Sequence, residues 1–299
     1  MTRFLLLLAC LACASTVNAP AVDAQSRPRP GQEVVLVTGS TSGLGREVAG
    51  RLGATGAFVI VHGRNRERGI EVVEAIESGG IGNARFYAAD FSSFAQIREF
   101  GETILRDYER LDVLVNNAGF GRAPDERMVS QDGHELRLQV NHLSHFLLTR
   151  MFLPRLRANA PSRIVNVSSG AQQAIDFDDV MIENNFSGGR AYSQSKLAQI
   201  MFTFDLAEEL AGTGVVVNAL HPATYMDTGM VRRAGLTPRA TVGEGADAVM
   251  QLIVSPDIGS GGYFNRMQPA RADGQAYDEE ARRKLRMLSE ELTGAPTIP

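Results

Sequence analysis

Cysteine is almost absent from this chain. The 299 residues include two cysteines, Cys10 and Cys13, and both lie in an apolar N-terminal stretch. If that stretch is removed, no thiol remains to form a disulfide or to ligate a metal. We therefore expect neither a disulfide framework nor a metal site.

The chain also lacks the run of ~20 apolar residues that a membrane-spanning helix needs. Its apolar stretch extends only from Phe4 to about Ala14, follows Arg3, and precedes small residues that include Ala19 and Ala24. This order is typical of a secretory signal peptide. We predict a leader over residues 1–24, which implies export or membrane association.

Three other interpretations of this N-terminal segment stay open. A retained anchor would be the chain's only contact with a membrane, and a misassigned start codon would leave the protein in the cytoplasm. The residues before Cys10 also loosely resemble a lipoprotein box.

No excess of positive charge is present. Lysine and arginine number 30 against 34 acidic residues, which gives a formal net charge of −4, and the two signs are interspersed. A nucleic-acid partner is not expected, because such proteins neutralise phosphates with a basic surface. The hydrophobic fraction of 44% is enough for a large core. We predict a linker over residues 25–31 and one domain over residues 32–299.

Short apolar, β-branched runs alternate with longer segments of helical pattern. Strands are predicted at residues 33–38, 58–62, 85–89, 111–115, 163–168 and 215–220. Apolar strands separated by helices indicate a parallel sheet covered on both faces. The predicted fold is therefore α/β, a single Rossmann-like doubly wound sheet. Residues 261–264 are expected to add a last edge strand, and residues 277–292 a final helix.

A glycine-rich turn follows the first predicted strand. Glycines at such a turn let backbone amides approach a pyrophosphate at the positive end of a helix. The turn differs from G-x-G-x-x-G because three residues separate its first two glycines. The cofactor contacts predicted from this turn and from the turn after the fourth strand are Thr38, Gly39, Ser40, Ser42, Gly43, Leu44, Gly45, Asn117, Ala118 and Gly119.

The end of the second predicted strand indicates which dinucleotide is bound. An acidic residue there would bind the ribose hydroxyls of NAD, but the sequence has Gly63 and Arg64 instead. An arginine fork suits a 2′-phosphate, so NADP is favoured over NAD. Asp90, which ends the third strand, either meets the adenine amino group or caps the next helix.

Tyr192 and Lys196 lie four residues apart, which places them on one face of a predicted helix. Hydride transfer to a carbonyl needs a proton donor, and a nearby positive charge lowers the pKa of a phenol. Ser169, after the fifth strand, can donate to the substrate oxygen. Asn141, on a predicted helix over residues 135–151, can hold a water that links Lys196 to solvent.

These motifs, in this order over residues 33–264, resemble the short-chain dehydrogenase/reductase family. The resemblance implies that Tyr192 is the acid/base, that Lys196 lowers its pKa and binds the nicotinamide ribose, that Ser169 orients the substrate and that Asn141 supports a proton relay. Within this family, the sequences of residues 140–146 and 192–198 resemble the retinol-dehydrogenase-like branch.

The chain departs from the family pattern after the sixth strand. His221-Pro222-Ala223 replaces the usual Pro-Gly, and Thr228 comes one residue late for its expected contact with the nicotinamide amide. Thr228 is still counted among the predicted cofactor residues.

The predicted function is NADP-dependent interconversion of an alcohol and a carbonyl compound, with a lipophilic substrate as an extension of this hypothesis. Residues 223–241 contain Met226 and Met230. They are expected either to form a lid over an apolar substrate or to pack against the rest of the domain. A dinucleotide-binding scaffold without turnover, and an epimerase or dehydratase on the same fold, remain alternatives. The sequence leaves the presence of a homo-oligomer open.

Overall fold

A computed structural model describes residues 26–295. Its centre is an eight-stranded sheet in the order β3-β2-β1-β4-β5-β6-β7-β8, parallel except for the last pair. The predicted leader, with both cysteines, lies outside the described residues. The strands are β1 Val34–Val37, β2 Phe58–Gly63, β3 Asn83–Ala88, β4 Val113–Asn116, β5 Ser162–Val167, β6 Val215–His221, β7 Tyr263–Asn265 and β8 Gln268–Pro269.

The helices cover both faces of this sheet. They are α1 Gly43–Ala54, α2 Arg66–Ser78, α3 Phe94–Asp107, α4 Leu136–Leu138, α5 Ser144–Ala158, α6 Gly188–Glu209, α7 Gly229–Arg233, α8 Val242–Val254 and α9 Glu279–Thr293. None of the helices within residues 26–295 has the length and apolar character needed to span a membrane.

Alternation along β1 shows how the sheet is covered on both sides. Val34 and Leu36 pack toward α3, α5 and α6, whereas Val35 and Val37 pack toward α1, α2 and α8. All four side chains are buried, because consecutive strand residues point to opposite faces and both faces are covered. This arrangement confirms the predicted doubly wound α/β fold.

The far edge of the sheet differs from the prediction. Residues 261–264 were expected to form the last strand, but β7 begins only at Tyr263 and pairs in parallel with β6. Gly261 has a φ of 81°, which a strand cannot accommodate. The edge is formed instead by β8, which pairs antiparallel with β7.

The predicted helix over residues 135–151 is also interrupted. A π-helical turn at Gln139–Leu143 separates α4 from α5. Such turns occur often at functional sites, and this one contains Asn141. The final helix, α9, begins later than predicted because Gly274–Tyr277 forms a 3₁₀ turn and Asp278 caps α9.

Candidate active site

The predicted site residues lie along the carboxyl edge of the parallel sheet. The chain passes from β1 outward to β2 and β3 and then returns to β4 on the other side of β1. Ligands of doubly wound sheets bind at such a reversal, where the loops after neighbouring strands separate. The glycine-rich turn follows β1, Asn117–Gly119 follows β4, and Ser169 follows β5.

Gly39 gives the turn after β1 its shape. Its φ is 65°, a left-handed value that favours glycine, and a Cβ there would lie 2.8 Å from the Cα of Ala118. A Cβ on Gly45 would lie 2.4 Å from the carbonyl oxygen of Gly39. The turn is therefore packed directly against the Ala118 segment and leaves the crevice open above it.

The start of α1 is left without a side-chain cap. Ser42, its N-cap residue, makes no capping hydrogen bond, whereas Asn65, Ser93 and Ser187 each cap their own helices. Uncapped amides at a helix N-terminus suit an anion. Together with the close packing of the glycines, this fits the pyrophosphate of a dinucleotide held by the turn from Gly39 to Gly45.

The side chains of Thr38 and Ser40 have structural partners. The Thr38 hydroxyl accepts from the amides of Asn117 and Ala118, both at 2.9 Å. The Ser40 hydroxyl donates to the Val37 carbonyl at 2.7 Å. Both side chains are fully buried, so each shapes the turn from beneath rather than facing the crevice.

His62 is a residue that sequence reasoning missed. Its Nδ1 accepts from the Gly39 amide at 3.0 Å, and its Nε2 lies 3.2 Å from the Ala89 carbonyl oxygen. Burial lowers the pKa of this imidazole to about 4, so it is neutral and Nε2 carries the proton that is donated. His62 thereby ties the glycine turn to the end of β3.

Arg64 lies at the carboxyl end of β2 and is exposed, without an ion-pair or hydrogen-bond partner among the residues described. A Cβ on the preceding Gly63 would lie 2.6 Å from the Cγ2 of Thr41. The glycine thus lets Thr41 lie against the end of β2. Arg46, by contrast, lies 3.7 Å from a carboxylate oxygen of Glu71.

Asp90 and Asn117 also make contacts within the protein. The Asp90 carboxylate accepts from the Ser92 amide at 3.0 Å, whereas α3 is capped by Ser93. The Asn117 side chain donates to the carbonyls of Thr38 and Gly39. Asp90 therefore forms a local turn next to the helix, and Asn117 joins the two loops that border the crevice.

Thr228 is brought beside the glycine turn. It is the N-cap of α7, and its Cγ2 lies 3.2 Å from the position of a Cβ on Gly43. Gly119 lies deeper in the crevice, where a Cβ would be 3.4 Å from Asn141 Oδ1 and 3.7 Å from Lys196 Nζ. The described residues therefore bring the predicted cofactor loops and the predicted catalytic side chains to one crevice.

Lys196 is buried in α6 below Tyr192. Its Nζ donates to the Val167 carbonyl at 2.9 Å and to Gln199 Oε1 at 2.7 Å, and lies 5.9 Å from the centre of the Tyr192 ring. Burial lowers the pKa of the ammonium to about 7. Gln199 is a second polar partner that the sequence analysis did not identify.

Tyr192 faces Ser169. Burial raises the pKa of the Tyr192 phenol, while a hydrogen bond with the Ser169 hydroxyl and the positive charge of Arg122 both lower it. Ser169 is itself buried, and its hydroxyl accepts from the Ala171 amide at 3.0 Å. The phenol and the serine hydroxyl thus lie together at the end of β5.

The Asn141 side chain holds the loop after β4. Its Oδ1 accepts from the Phe120 amide at 2.7 Å, and its Nδ2 donates to the Phe120 carbonyl at 3.0 Å and to Ser195 Oγ at 2.8 Å. Both amide hydrogens are therefore used within the protein. Asn141 connects this loop to the helix that carries Tyr192.

Arg137 holds the same loop from below. Its guanidinium is fully buried and donates to the carbonyls of Gly121 and Arg122, both at 3.0 Å. Glu135 balances the charge at 3.2 Å. Neither residue belongs to a recognisable sequence motif, because the role of Arg137 depends on carbonyl groups that only the folded loop brings together.

The predicted lid contains two methionines with different surroundings. Met226 packs onto the core beside Leu44 and Gly245. Met230 instead lies over the loop after β4, with its Cγ 2.7 Å from the position of a Cβ on Gly121. Only Met230 is therefore placed at the crevice.

Comparisons with known proteins agree with this geometry. Residues 33–238 match the family model described as short chain dehydrogenase. Human retinol dehydrogenase 14 is 38% identical over 88% of this chain and 86% of its own length. Human retinol dehydrogenase 13 is 36% identical over 90% of this chain and 87% of its own length.

Solved structures give the same fold. An NADP complex of Pseudomonas aeruginosa RhlG superposes with a TM-score of 0.62 at 26% identity, and covers 78% of this chain and 94% of its own. Salutaridine reductase from Papaver somniferum superposes with a TM-score of 0.64 at 23% identity, over 78% of this chain and 99% of its own. The second likeness concerns the fold alone.

Proposed function

Because this chain belongs to the short-chain dehydrogenase/reductase family, in its retinol-dehydrogenase-like branch, we propose that it interconverts an alcohol and a carbonyl compound with NADP as the preferred dinucleotide. Membership makes the chain an oxidoreductase that acts on CH–OH groups with NAD(P). The proposal adds the acid/base residue, the preferred cofactor and a lipophilic substrate. The observation that carries it is that Lys196 Nζ contacts the carbonyl of Val167 at the end of β5 and lies 5.9 Å from the centre of the Tyr192 ring, with Ser169 two residues beyond Val167.

Tyr192 is the acid/base in this proposal. The bound nicotinamide supplies or accepts the hydride. When a carbonyl is reduced, the Tyr192 phenol donates a proton to the oxygen, and the Ser169 hydroxyl donates a hydrogen bond to the same oxygen. Burial raises the pKa of Tyr192, so the phenol keeps its proton until the substrate arrives.

Lys196 acts on Tyr192 through its charge. The ammonium donates to the Val167 carbonyl and to Gln199 Oε1, so the two hydrogen bonds hold the lysine side chain in one position. When protonated, it stabilises the phenolate left after proton transfer. In the same proposal Lys196 also binds the nicotinamide ribose, and Asn141 supports the proton relay by fixing the loop beside it.

NADP is proposed because of Arg64. Arg64 follows Gly63 at the end of β2 and is exposed, so its guanidinium offers donors to a 2′-phosphate. No carboxylate stands at the end of β2 to bind ribose hydroxyls. The NADP complex of the structurally similar RhlG is consistent with this choice. A lipophilic alcohol or carbonyl substrate is proposed because the similar human proteins are retinol dehydrogenases, and retinol is a lipophilic alcohol.

The test is turnover by the purified protein with NADPH and a panel of aldehydes that includes retinal and alkyl aldehydes of increasing length. We expect absorbance loss at the nicotinamide band, and Tyr192→Phe should lower turnover by about 10²–10⁴-fold while the dinucleotide still binds. Tyr277→Phe is the control, because Tyr277 is exposed and contacts Ala272 and Phe204.

Each alternative predicts a different result. Near-full activity of Tyr192→Phe would remove Tyr192 from the mechanism. Nucleotide binding without turnover of any substrate would support a scaffold. Conversion of substrate without a net change in nicotinamide absorbance would support an epimerase or dehydratase.

A further inference from the structure

We propose that Arg122 binds an anionic group of the substrate, so that the preferred substrates are carbonyl compounds, or their alcohols, that carry a carboxylate. This inference rests on the proposed function and adds a substrate class to it. It concerns the loop between β4 and α4, in which the last residue predicted to belong to the site is Gly119.

The backbone around Arg122 is fixed between two elements of the site. Two residues earlier, Phe120 is held by both polar atoms of the Asn141 amide. The Arg122 carbonyl accepts from Arg137 at 3.0 Å. Asp125 accepts from the amide of Gly188, the first residue of the helix that carries Tyr192. The backbone of Arg122 is therefore fixed by contacts to Arg137 and Asn141 on one side and to α6 on the other.

The Arg122 guanidinium has no hydrogen-bond or ion-pair partner within residues 26–295, although the residue is half-buried. Among the described residues, none of the carboxylates of Asp125, Glu126 and Glu135 pairs with Arg122; Asp125 accepts from Gly188, and Glu135 pairs with Arg137. Arg127, on the same loop, is different because it donates to the Met181 carbonyl and lies 3.7 Å from Glu183. Arg122 thus retains its donors for a ligand.

The loop that carries Arg122 borders the proposed catalytic groups. A Cβ on Gly119 would lie 3.7 Å from Lys196 Nζ, Asn141 holds Phe120, and Met230 covers Gly121. The positive charge of Arg122 also lowers the pKa of the Tyr192 phenol. A substrate whose carbonyl oxygen meets Tyr192 would therefore extend past Arg122 and under Met230. A planar guanidinium binds a carboxylate through two parallel hydrogen bonds.

A carboxylate fits better than a phosphate monoester because one guanidinium supplies one positive charge. The neighbouring guanidinium, Arg137, is fully buried and committed to backbone carbonyls and to Glu135. It cannot add donors to a dianion at this position. The site is therefore matched to a singly charged group.

The first test measures kcat/KM with NADPH for oxo acids of several chain lengths and for the methyl ester of each. At the length that spans Tyr192 and Arg122, the acid should exceed its ester by about tenfold or more. Arg122→Gln should abolish this ratio, because kcat/KM for the acid should fall about tenfold further than kcat/KM for its ester. Arg122→Lys should keep part of the preference. Arg127→Gln is the control and should preserve it.

The second test measures binding without turnover. Calorimetry of the NADP-loaded protein with alkyl carboxylates and the matching primary amides should show tighter binding of a carboxylate, weakened about tenfold by Arg122→Gln. Equal affinity for acid and amide at every length would overturn the proposal. An equal loss for acids and esters in Arg122→Gln would also overturn it, since Arg122 would then act on Tyr192 alone.

The two proposals fail separately. If carboxylates bind through Arg122 but no carbonyl compound is reduced, the proposed function is wrong and the anion site stands. If neutral aldehydes are reduced and neither assay distinguishes acid from neutral analogue, the proposed function stands and Arg122 has no role in substrate choice. A phosphate monoester that binds more tightly than every carboxylate would overturn the assignment to carboxylates.

Discussion

Lys196 Nζ donates to Gln199 Oε1 across 2.7 Å within α6. This contact, with the one to the Val167 carbonyl, satisfies the ammonium inside a buried environment. Burial nevertheless lowers the pKa of Lys196 from its ordinary 10.5 to about 7. Lys196, the proposed partner of Tyr192, is therefore held where its positive charge costs folding free energy.

The first prediction is that stability depends on pH through Lys196. Between pH 7 and 10.5 the unfolded chain keeps a proton on this lysine that the folded protein has released, so the free energy of unfolding contributed by Lys196 rises with pH across this window. Between pH 7 and 9, wild type should gain ~2–3 kcal/mol relative to Lys196→Met. Urea denaturation at several pH values measures the difference.

Lys284→Met is the matched control, because the Lys284 side chain is 54% exposed and, within residues 26–295, pairs with Glu280 alone. Its free-energy difference from wild type should stay flat over the same pH range. A Lys196→Met curve parallel to that of wild type would contradict the prediction. Lys196→Met should also lose most turnover, since the ammonium that is proposed to stabilise the Tyr192 phenolate is removed.

The second prediction concerns cofactor choice. Arg64→Asp replaces a donor fork with a negative charge, so it should reverse a preference for NADPH, with a change in the ratio of kcat/KM for NADPH and NADH of about 10- to 100-fold. Steady-state kinetics with both cofactors measures it. Arg68→Asp, an equally exposed change within α2, should leave the ratio nearly unaltered. If wild type already uses NADH as well as NADPH, the proposed role of Arg64 is wrong.

The third prediction concerns the buried ion pair under the site. Glu135→Ala leaves the Arg137 guanidinium buried without its carboxylate, which should lower the free energy of unfolding by ~3–5 kcal/mol. Glu135→Gln should cost less because it keeps a polar partner. Glu280→Ala, which breaks an exposed pair with Lys284, should change stability by only about 0–0.5 kcal/mol. Equal losses for Glu135→Ala and Glu280→Ala in urea denaturation would refute the argument.

The sequence predicted what depends on local pattern. The four residues of β1 and the first three residues of β4 are apolar because both faces of these strands are buried, so each strand could be located to within about two residues. Tyr192 and Lys196 share one helix, and their spacing alone places them on one face.

Other features depend on contacts between distant segments. His62 matters because it lies against Gly39 and Ala89, and Arg137 because the loop after β4 folds back over it. The π-helical turn at Gln139–Leu143 has the same composition as an ordinary helix. The roles of His62 and Arg137 and the position of the π-helical turn could not be predicted from residue spacing, since they depend on contacts that form only in the folded protein.

The fourth prediction separates the two methionines of residues 223–241. Met230 lies over Gly121 at the crevice, whereas Met226 packs against Gly245 and Leu44. Met230→Ala should therefore raise KM for long or ring-bearing carbonyl compounds much more than for small ones, with little change in Tm. Met226→Ala should instead lower the free energy of unfolding by ~1–2 kcal/mol, because a partly buried side chain is lost. Kinetics over the aldehyde panel, combined with thermal melts, distinguishes the two variants. If Met230→Ala raises KM equally for every substrate, or lowers Tm as much as Met226→Ala does, the segment is structural throughout and does not act as a lid.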